Sequence, residues 1–115
     1  MRKKTTVVLA DEQTLFREAR IARCEGTSLY RVVGHCGDGK TAARLIETLA
    51  PDVAILDLGL PRLYALSVIR RAAAIGSPSK SLVLADKAPV VFSDPGSTAG
   101  SWERISTITP EPSGA

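Results

Sequence analysis

Short apolar runs alternate with longer stretches of mixed apolar and polar residues over the first 85 residues of the chain. The apolar runs predict strands at 5–10, 30–34, 53–57 and 81–85, of which the run 30–34 is rich in β-forming residues. The stretches between them predict helices at 12–24, 40–50 and 64–75, each followed by a Gly or a Pro. This alternation implies βαβ units and a parallel sheet with right-handed crossovers.

The spacing of apolar residues supports the first two predicted helices. In the first helix, apolar residues recur at helical spacing with charged residues mostly between them: Leu15, Phe16, Ala19 and Ala22 against Arg17, Glu18, Arg20 and Arg23. In the second helix, the predicted inner side consists of Ala42, Ala43, Leu45, Ile46 and Leu49. An amphipathic helix packs its apolar side against the core.

The pattern changes at residue 88. From there to residue 115, Pro, Gly, Ser and Thr make up 15 of 28 residues, and no helical periodicity is present. Two short β-like runs remain, at 89–92 and 104–108. We therefore predict one folded domain over 1–87 and an irregular segment over 88–115, which is either disordered or an aberrant fifth strand.

The composition is that of a small globular protein. The chain has 115 residues, 44% of them apolar, and a net charge of +3, too small to indicate nucleic-acid binding. No apolar stretch approaches the roughly 18 residues needed to span a membrane, and the basic start is not followed by a signal-peptide core. We expect a cytoplasmic location, with Cys24 and Cys36 as free thiols and no zinc site.

Two predicted strands end in carboxylates. The run 53–56 leads to Asp57, and a Gly and a Pro then interrupt the chain, which is typical of a buried parallel strand. Asp11 and Glu12 follow the earlier apolar run in the same way. Because open α/β sheets place reactive groups at the carboxyl edge, these side chains are predicted to share one acidic pocket.

The chemistry of such a pocket suits Mg²⁺. Crowded carboxylates repel one another unless a cation neutralises them, and Mg²⁺ prefers oxygen ligands. With the ion present, Asp57 could act as a nucleophile toward a phosphoryl group. The alternative is that Asp11 caps the first helix and Asp57 caps a turn, and spacing alone leaves both interpretations open.

A family resemblance extends these observations. Residues 7–18, residues 32–39 and residues 51–61 (PDVAILDLGLP) together resemble a bacterial response-regulator receiver domain, closest to the LuxR/NarL class of two-component transcription regulators. The resemblance covers about residues 5–85. It implies an α/β, flavodoxin-like, doubly wound parallel sheet with strand order 2-1-3-4-5 if the last strand forms.

The resemblance also implies a function for individual residues. Asp57 matches the aspartate that accepts a phosphoryl group from a histidine kinase, Asp11 and Glu12 match the acidic pair that holds Mg²⁺, and Gly59 matches the carbonyl that completes the metal site. The domain would be a signalling module rather than an enzyme. It would pair with the kinase, and with itself or full-length regulators, and would not bind nucleic acid or membrane directly.

Several positions depart from the family pattern. Ala85 stands where receivers carry a Ser or Thr. Receivers also carry a Lys at the end of the fifth strand, and no Lys follows Lys87, for which a phosphate contact from the loop is the less favoured interpretation. On this resemblance we expect the helix-turn-helix output domain to be absent from the chain. The change of composition at residue 88 predicts a truncated or frame-shifted regulator gene, or a diverged receiver. A phosphorylation-independent pseudo-receiver, acting only as an interaction module, is therefore a second hypothesis.

A third hypothesis comes from the segment Gly34–Thr41, GHCGDGKT. It satisfies the P-loop pattern and lies between a predicted strand and a predicted helix, where backbone N–H groups could hold phosphates. On this interpretation, Asp57 would serve as the acidic Mg²⁺ partner of a nucleotide-binding protein.

Overall fold

The computed structural model describes residues 3–85 with their side chains and the backbone of residues 88–93. The elements follow one another as predicted from the apolar runs: β1 (Thr5–Ala10), α1 (Thr14–Glu25), β2 (Tyr30–Cys36), α2 (Gly39–Leu49), β3 (Val53–Asp57), α3 (Ala65–Ala74), β4 (Lys80–Ala85) and β5 (Ala88–Ser93). Within these described residues, no helix has the length and apolarity that crossing a bilayer requires.

The strands form one sheet in the order β2-β1-β3-β4-β5, which confirms the predicted strand order. The first four strands are parallel. They alternate with helices in the chain, as the flavodoxin-like arrangement requires. Their carboxyl ends therefore meet at one edge of the sheet.

The fifth strand differs from a doubly wound parallel sheet. β5 runs antiparallel to β4, with Ser81 opposite Ser93 and Ala85 opposite Ala88. A parallel connection needs a crossover of about a dozen residues or more, whereas only residues 86 and 87 separate these two strands. β5 includes the predicted β-like run 89–92, and the second run, 104–108, lies outside the described residues.

The core consists of two apolar clusters, one on each face of the sheet. Alternate residues of β1 and β3 serve opposite faces, because successive side chains of a strand point in opposite directions. Leu9 and Ile55 belong to the cluster that contains Cys24 of α1. The second cluster joins the sheet to α2 and α3 and includes Ala10, Leu56, Ala42, Ile46 and Val68.

The inner face of α1 is not the one that its apolar spacing predicted. Leu15 is 81% exposed and Phe16 is 43% exposed, so the apolar stripe lies mostly on the outside. Instead, Arg20 and Cys24 are buried, one helical turn apart. The helix is turned this way because Cys24 enters the core and Arg20 has a buried acidic partner, described below.

Candidate functional site

The register of the sheet brings the two predicted aspartates to the same edge. Ala10 of β1 pairs with Leu56 of β3, so the next residues, Asp11 and Asp57, lie beside each other at the carboxyl ends of neighbouring strands. Asp57 is the last residue of β3 and is half-buried. This arrangement agrees with the prediction that both carboxylates lie at one edge.

Asp11 is almost completely enclosed. Asp11 is 3% exposed. Both of its carboxylate oxygens accept hydrogen bonds: Oδ1 from the backbone N–H of Gln13 at 2.8 Å, and Oδ2 from Nη1 of Arg20 at 2.9 Å. Arg17 donates to the backbone carbonyl of Asp11. The cap residue of α1 is Gln13, so the alternative in which Asp11 caps this helix is wrong.

Arg20 and Arg17 are the site residues that sequence reasoning missed. The apolar stripe predicts that both arginines lie between core positions, whereas Arg20 is buried in an ion pair with Asp11. A signal was present in the sequence. Arg17, Arg20 and Cys24 also follow the spacing of one helix face, and a buried aspartate needs a cationic partner.

The remaining predicted ligands are less tightly placed. Glu12 and Gly59 are exposed, and Oδ2 of Asp57 lies 3.7 Å from the point that a Cβ on Gly59 would occupy. Over residues 3–85, no three His, Cys, Asp or Glu side chains form a group that could hold a metal ion. In this conformation Arg20 holds Asp11 and Glu12 faces solvent, so the three acids are not assembled around one point. Their role as metal ligands stays a prediction.

The donor chemistry at this edge nevertheless fits Mg²⁺. The carboxylates of Glu12 and Asp57 and the backbone carbonyl of Gly59 are hard oxygen donors, the type that Mg²⁺ prefers. Asp57 and Gly59 are already close to each other. Asp11 differs from them, since its charge is neutralised by Arg20.

The structure places Ala85 near the candidate acceptor. Leu84 pairs with Asp57, and Ala85, the next residue, ends β4 with a half-buried side chain. The neighbouring strand end therefore offers a methyl group where the family resemblance expects a hydroxyl. Lys87, the less favoured candidate for a phosphate contact, lies outside the described residues.

The P-loop interpretation of Gly34–Thr41 is wrong. Gly34 belongs to β2 and pairs with Val8 instead of opening a phosphate-binding loop. At the start of α2, the backbone N–H and the hydroxyl of Thr41 both donate to the Asp38 carboxylate at 2.8 Å. An internal carboxylate therefore occupies the helix N-terminus where a phosphate would bind.

Asp38 should consequently stabilise the fold as a helix cap. Because it accepts the Thr41 N–H and hydroxyl bonds, its pKa lies below the ordinary value of 3.8. We expect Asp38→Ala to lower the free energy of unfolding by about 1 kcal/mol at neutral pH. The ionised carboxylate provides this stabilisation above the unfolded-state pKa, and it is lost as the pH falls through the folded-state pKa.

Urea unfolding at pH 7 and at pH 3 measures this effect. Lys40→Ala is the matched control, since Lys40 lies in the same helical turn and is exposed. An equal loss of stability in the two variants would contradict the role of Asp38 as the cap.

Comparison with known proteins extends these observations. No protein-family model matches the chain. The transcriptional regulatory protein NarL of Mycobacterium tuberculosis is 31% identical over 91 residues, which cover 77% of this chain and 42% of that protein. The chain thus matches less than half the length of this curated relative.

Solved structures of response regulators share the fold of this chain. The signal receiver domain of the response regulator NarL from Mycobacterium tuberculosis superimposes with a TM-score of 0.71 at 31% identity, covering 73% of this chain and 68% of that domain. A LuxR-family DNA-binding response regulator from Staphylococcus aureus shares the fold, with a TM-score of 0.68 at 20% identity, covering 90% of this chain and 79% of that one. The chain therefore belongs to the receiver domains of the LuxR/NarL class of response regulators.

Proposed function

We propose that this domain accepts a phosphoryl group on Asp57 from a sensor histidine kinase of a two-component system. The observation that carries the proposal is the position of Asp57 at the carboxyl end of β3, beside the end of β1. A half-buried carboxylate at this edge is accessible to a donor and is oriented by the strand that delivers it. Open α/β sheets use the same edge for their chemistry.

In the proposed reaction, a carboxylate oxygen of Asp57 attacks the phosphorus atom of a phosphohistidine. The new O–P bond forms as the P–N bond breaks, and the imidazole nitrogen keeps the bonding electron pair and takes up a proton. The aspartyl phosphate carries nearly two negative charges in place of one. This added charge at the sheet edge is the signal that neighbouring loops could report.

We propose that Mg²⁺ assists this transfer, held by Glu12, Asp57 and the carbonyl of Gly59, with Asp11 behind them. Bound Mg²⁺ would supply positive charge against the incoming phosphoryl oxygens. Glu12 is exposed in the present conformation and would have to turn toward Asp57. The oxygen donor set and the closeness of Gly59 to Asp57 support this proposal.

We further propose a setting for the domain. The named relative is a transcriptional regulatory protein, so we place this domain in the control of transcription, in the cytoplasm, with a histidine kinase as its partner. Pairing with a second copy or with full-length regulators is part of the same proposal.

A second candidate function is favoured by Ala85 and by the ion pair of Asp11. Without a hydroxyl beside Asp57, the domain lacks a group to bind the new phosphoryl oxygens from β4. Because Arg20 neutralises Asp11, the domain also needs no metal ion to balance the charge of this buried carboxylate. Both observations support a pseudo-receiver that binds partners without being phosphorylated.

Intact-mass measurement after incubation with MgCl₂ and acetyl phosphate separates the two functions. We expect the wild-type chain to gain one phosphoryl group and Asp57→Asn to gain none, because the amide is not a nucleophile for phosphorus. Asp52→Asn is the matched control, since Asp52 lies just before β3, at the opposite edge of the sheet. A folded wild-type chain that gains no mass would refute phosphoryl acceptance and favour the pseudo-receiver.

A further inference from the structure

We propose that Arg20 is a built-in counter-ion that restricts the binding of divalent cations at the acidic edge of the sheet. The inference rests on the proposed function, since it concerns the Mg²⁺ affinity of the same site. In this arrangement the positive charge that balances Asp11 comes from a side chain of the protein and not from a bound metal ion. The site would then be neutralised, and the domain folded, before any metal binds.

The burial of the pair is the first argument. Arg20 is 5% exposed, Asp11 is 3% exposed, and their charged groups meet at 2.9 Å. A buried charge is tolerated only when it is paired, so each of these residues requires the other when no metal is present. Gln13 holds the second oxygen of Asp11, so each carboxylate oxygen already accepts a hydrogen bond from within the chain.

The local charge is the second argument. Two guanidinium groups approach Asp11, one at its carboxylate and one, from Arg17, at its backbone carbonyl. The Nε atoms of Arg17 and Arg20 are both buried and have no hydrogen-bond partner among the described residues. Arg20 is buried and Arg17 is half-buried, so their positive charges repel a further cation more strongly than they would in water.

The geometry of α1 is the third argument. Arg20 reaches Asp11 because the helix turns its arginine side inward and leaves Leu15 81% exposed. If apolar burial alone decided the packing, α1 would be rotated about its axis so that its apolar stripe faced the sheet. The ion pair is therefore an interaction that helps to decide how α1 packs.

Titration with MgCl₂ alone, followed by calorimetry and by the shift of the unfolding midpoint, tests the inference. The variant Arg20→Met removes the charge and keeps an unbranched side chain. We expect it to bind Mg²⁺ more tightly than the wild type by on the order of tenfold, with a larger midpoint shift. Arg23→Met is the matched control, since it removes the same charge from an exposed position of the same helix.

The outcomes distinguish this inference from the proposed function. Tighter binding by Arg20→Met alone supports the counter-ion role. Equal affinity in wild type and Arg20→Met, or an equal gain in Arg23→Met, overturns it and leaves the proposed Mg²⁺ site standing. If no variant binds Mg²⁺, the metal site itself is refuted. If Arg20→Met does not fold, Arg20→Gln provides the same comparison, because it keeps a donor for Asp11 without the charge.

Discussion

Replacing Asp11 with Asn should lower the free energy of unfolding by about 3–5 kcal/mol, the cost of leaving a buried charge without its partner. Asn has nearly the shape of Asp and can still accept the N–H of Gln13. Its amide NH2 cannot accept the Nη1 bond of Arg20, so the variant removes both the negative charge and the acceptor for Arg20. Arg20 then remains 95% buried, with its 5% exposure giving water almost no access to the guanidinium. Urea unfolding in the presence of EDTA measures the loss without interference from divalent ions.

The double variant Asp11→Asn/Arg20→Met is the control for this prediction. It removes both charges, so it should recover much of the stability that the single variant loses, since an apolar replacement of a buried pair is often neutral. A loss below about 1 kcal/mol in Asp11→Asn would show that water reaches the pair, and would contradict its burial.

The second large effect is expected at Gly39, the first residue of α2. A Cβ at this position would lie 1.8 Å from the carbonyl oxygen of Leu63 and 2.7 Å from its carbonyl carbon. Both atoms belong to the backbone, so no side-chain rotation relieves the overlap. The N–H of Gly39 also donates to the carbonyl of Pro61 at 3.0 Å, which ties α2 to the segment that follows Asp57.

We therefore expect Gly39→Ala to cost about 3 kcal/mol, at the upper end of what overpacking usually costs. The displaced segment follows Asp57 and Gly59, so phosphoryl uptake from acetyl phosphate should slow as well. Thermal or urea unfolding gives the first quantity and intact mass over time gives the second. Gly26→Ala is the control, because Gly26 has a φ of −77° that Ala adopts readily, and it should stay within about 1 kcal/mol of wild type. Equal stability of the two variants would contradict the close packing at Gly39.

The part of the fold that could be predicted from the sequence is the part that depends on short patterns of apolar and polar residues. The run 53–56 is apolar throughout, since β3 is covered on both faces, and all four residues are buried. The same reasoning located β1, β2 and β4 and placed Asp11 and Asp57 at one edge. These predictions held because a strand buried on both sides leaves little choice of sequence.

The site itself was only partly predictable. Asp57, Asp11 and Ala85 were assigned to the sheet edge from the sequence, and the structure places them there. The pairing of Asp11 with Arg20 was missed, because the apolar stripe of α1 indicated a different inner face. A hydrophobic pattern ranks the faces of a helix by apolar content, and it does not count a buried ion pair.

By itself, the sequence determined the order of strands and helices, the parallel core of the sheet, and the edge at which the acids collect. Each of these follows from the apolar or polar character of neighbouring residues, which acts over a few positions of the chain. Only the tertiary structure decided which side of α1 faces the sheet, that Arg20 neutralises Asp11, and that β5 returns antiparallel along β4. These outcomes depend on contacts between separate elements and on the two-residue connection between β4 and β5. The energies of such contacts cannot be estimated from the pattern of neighbouring residues.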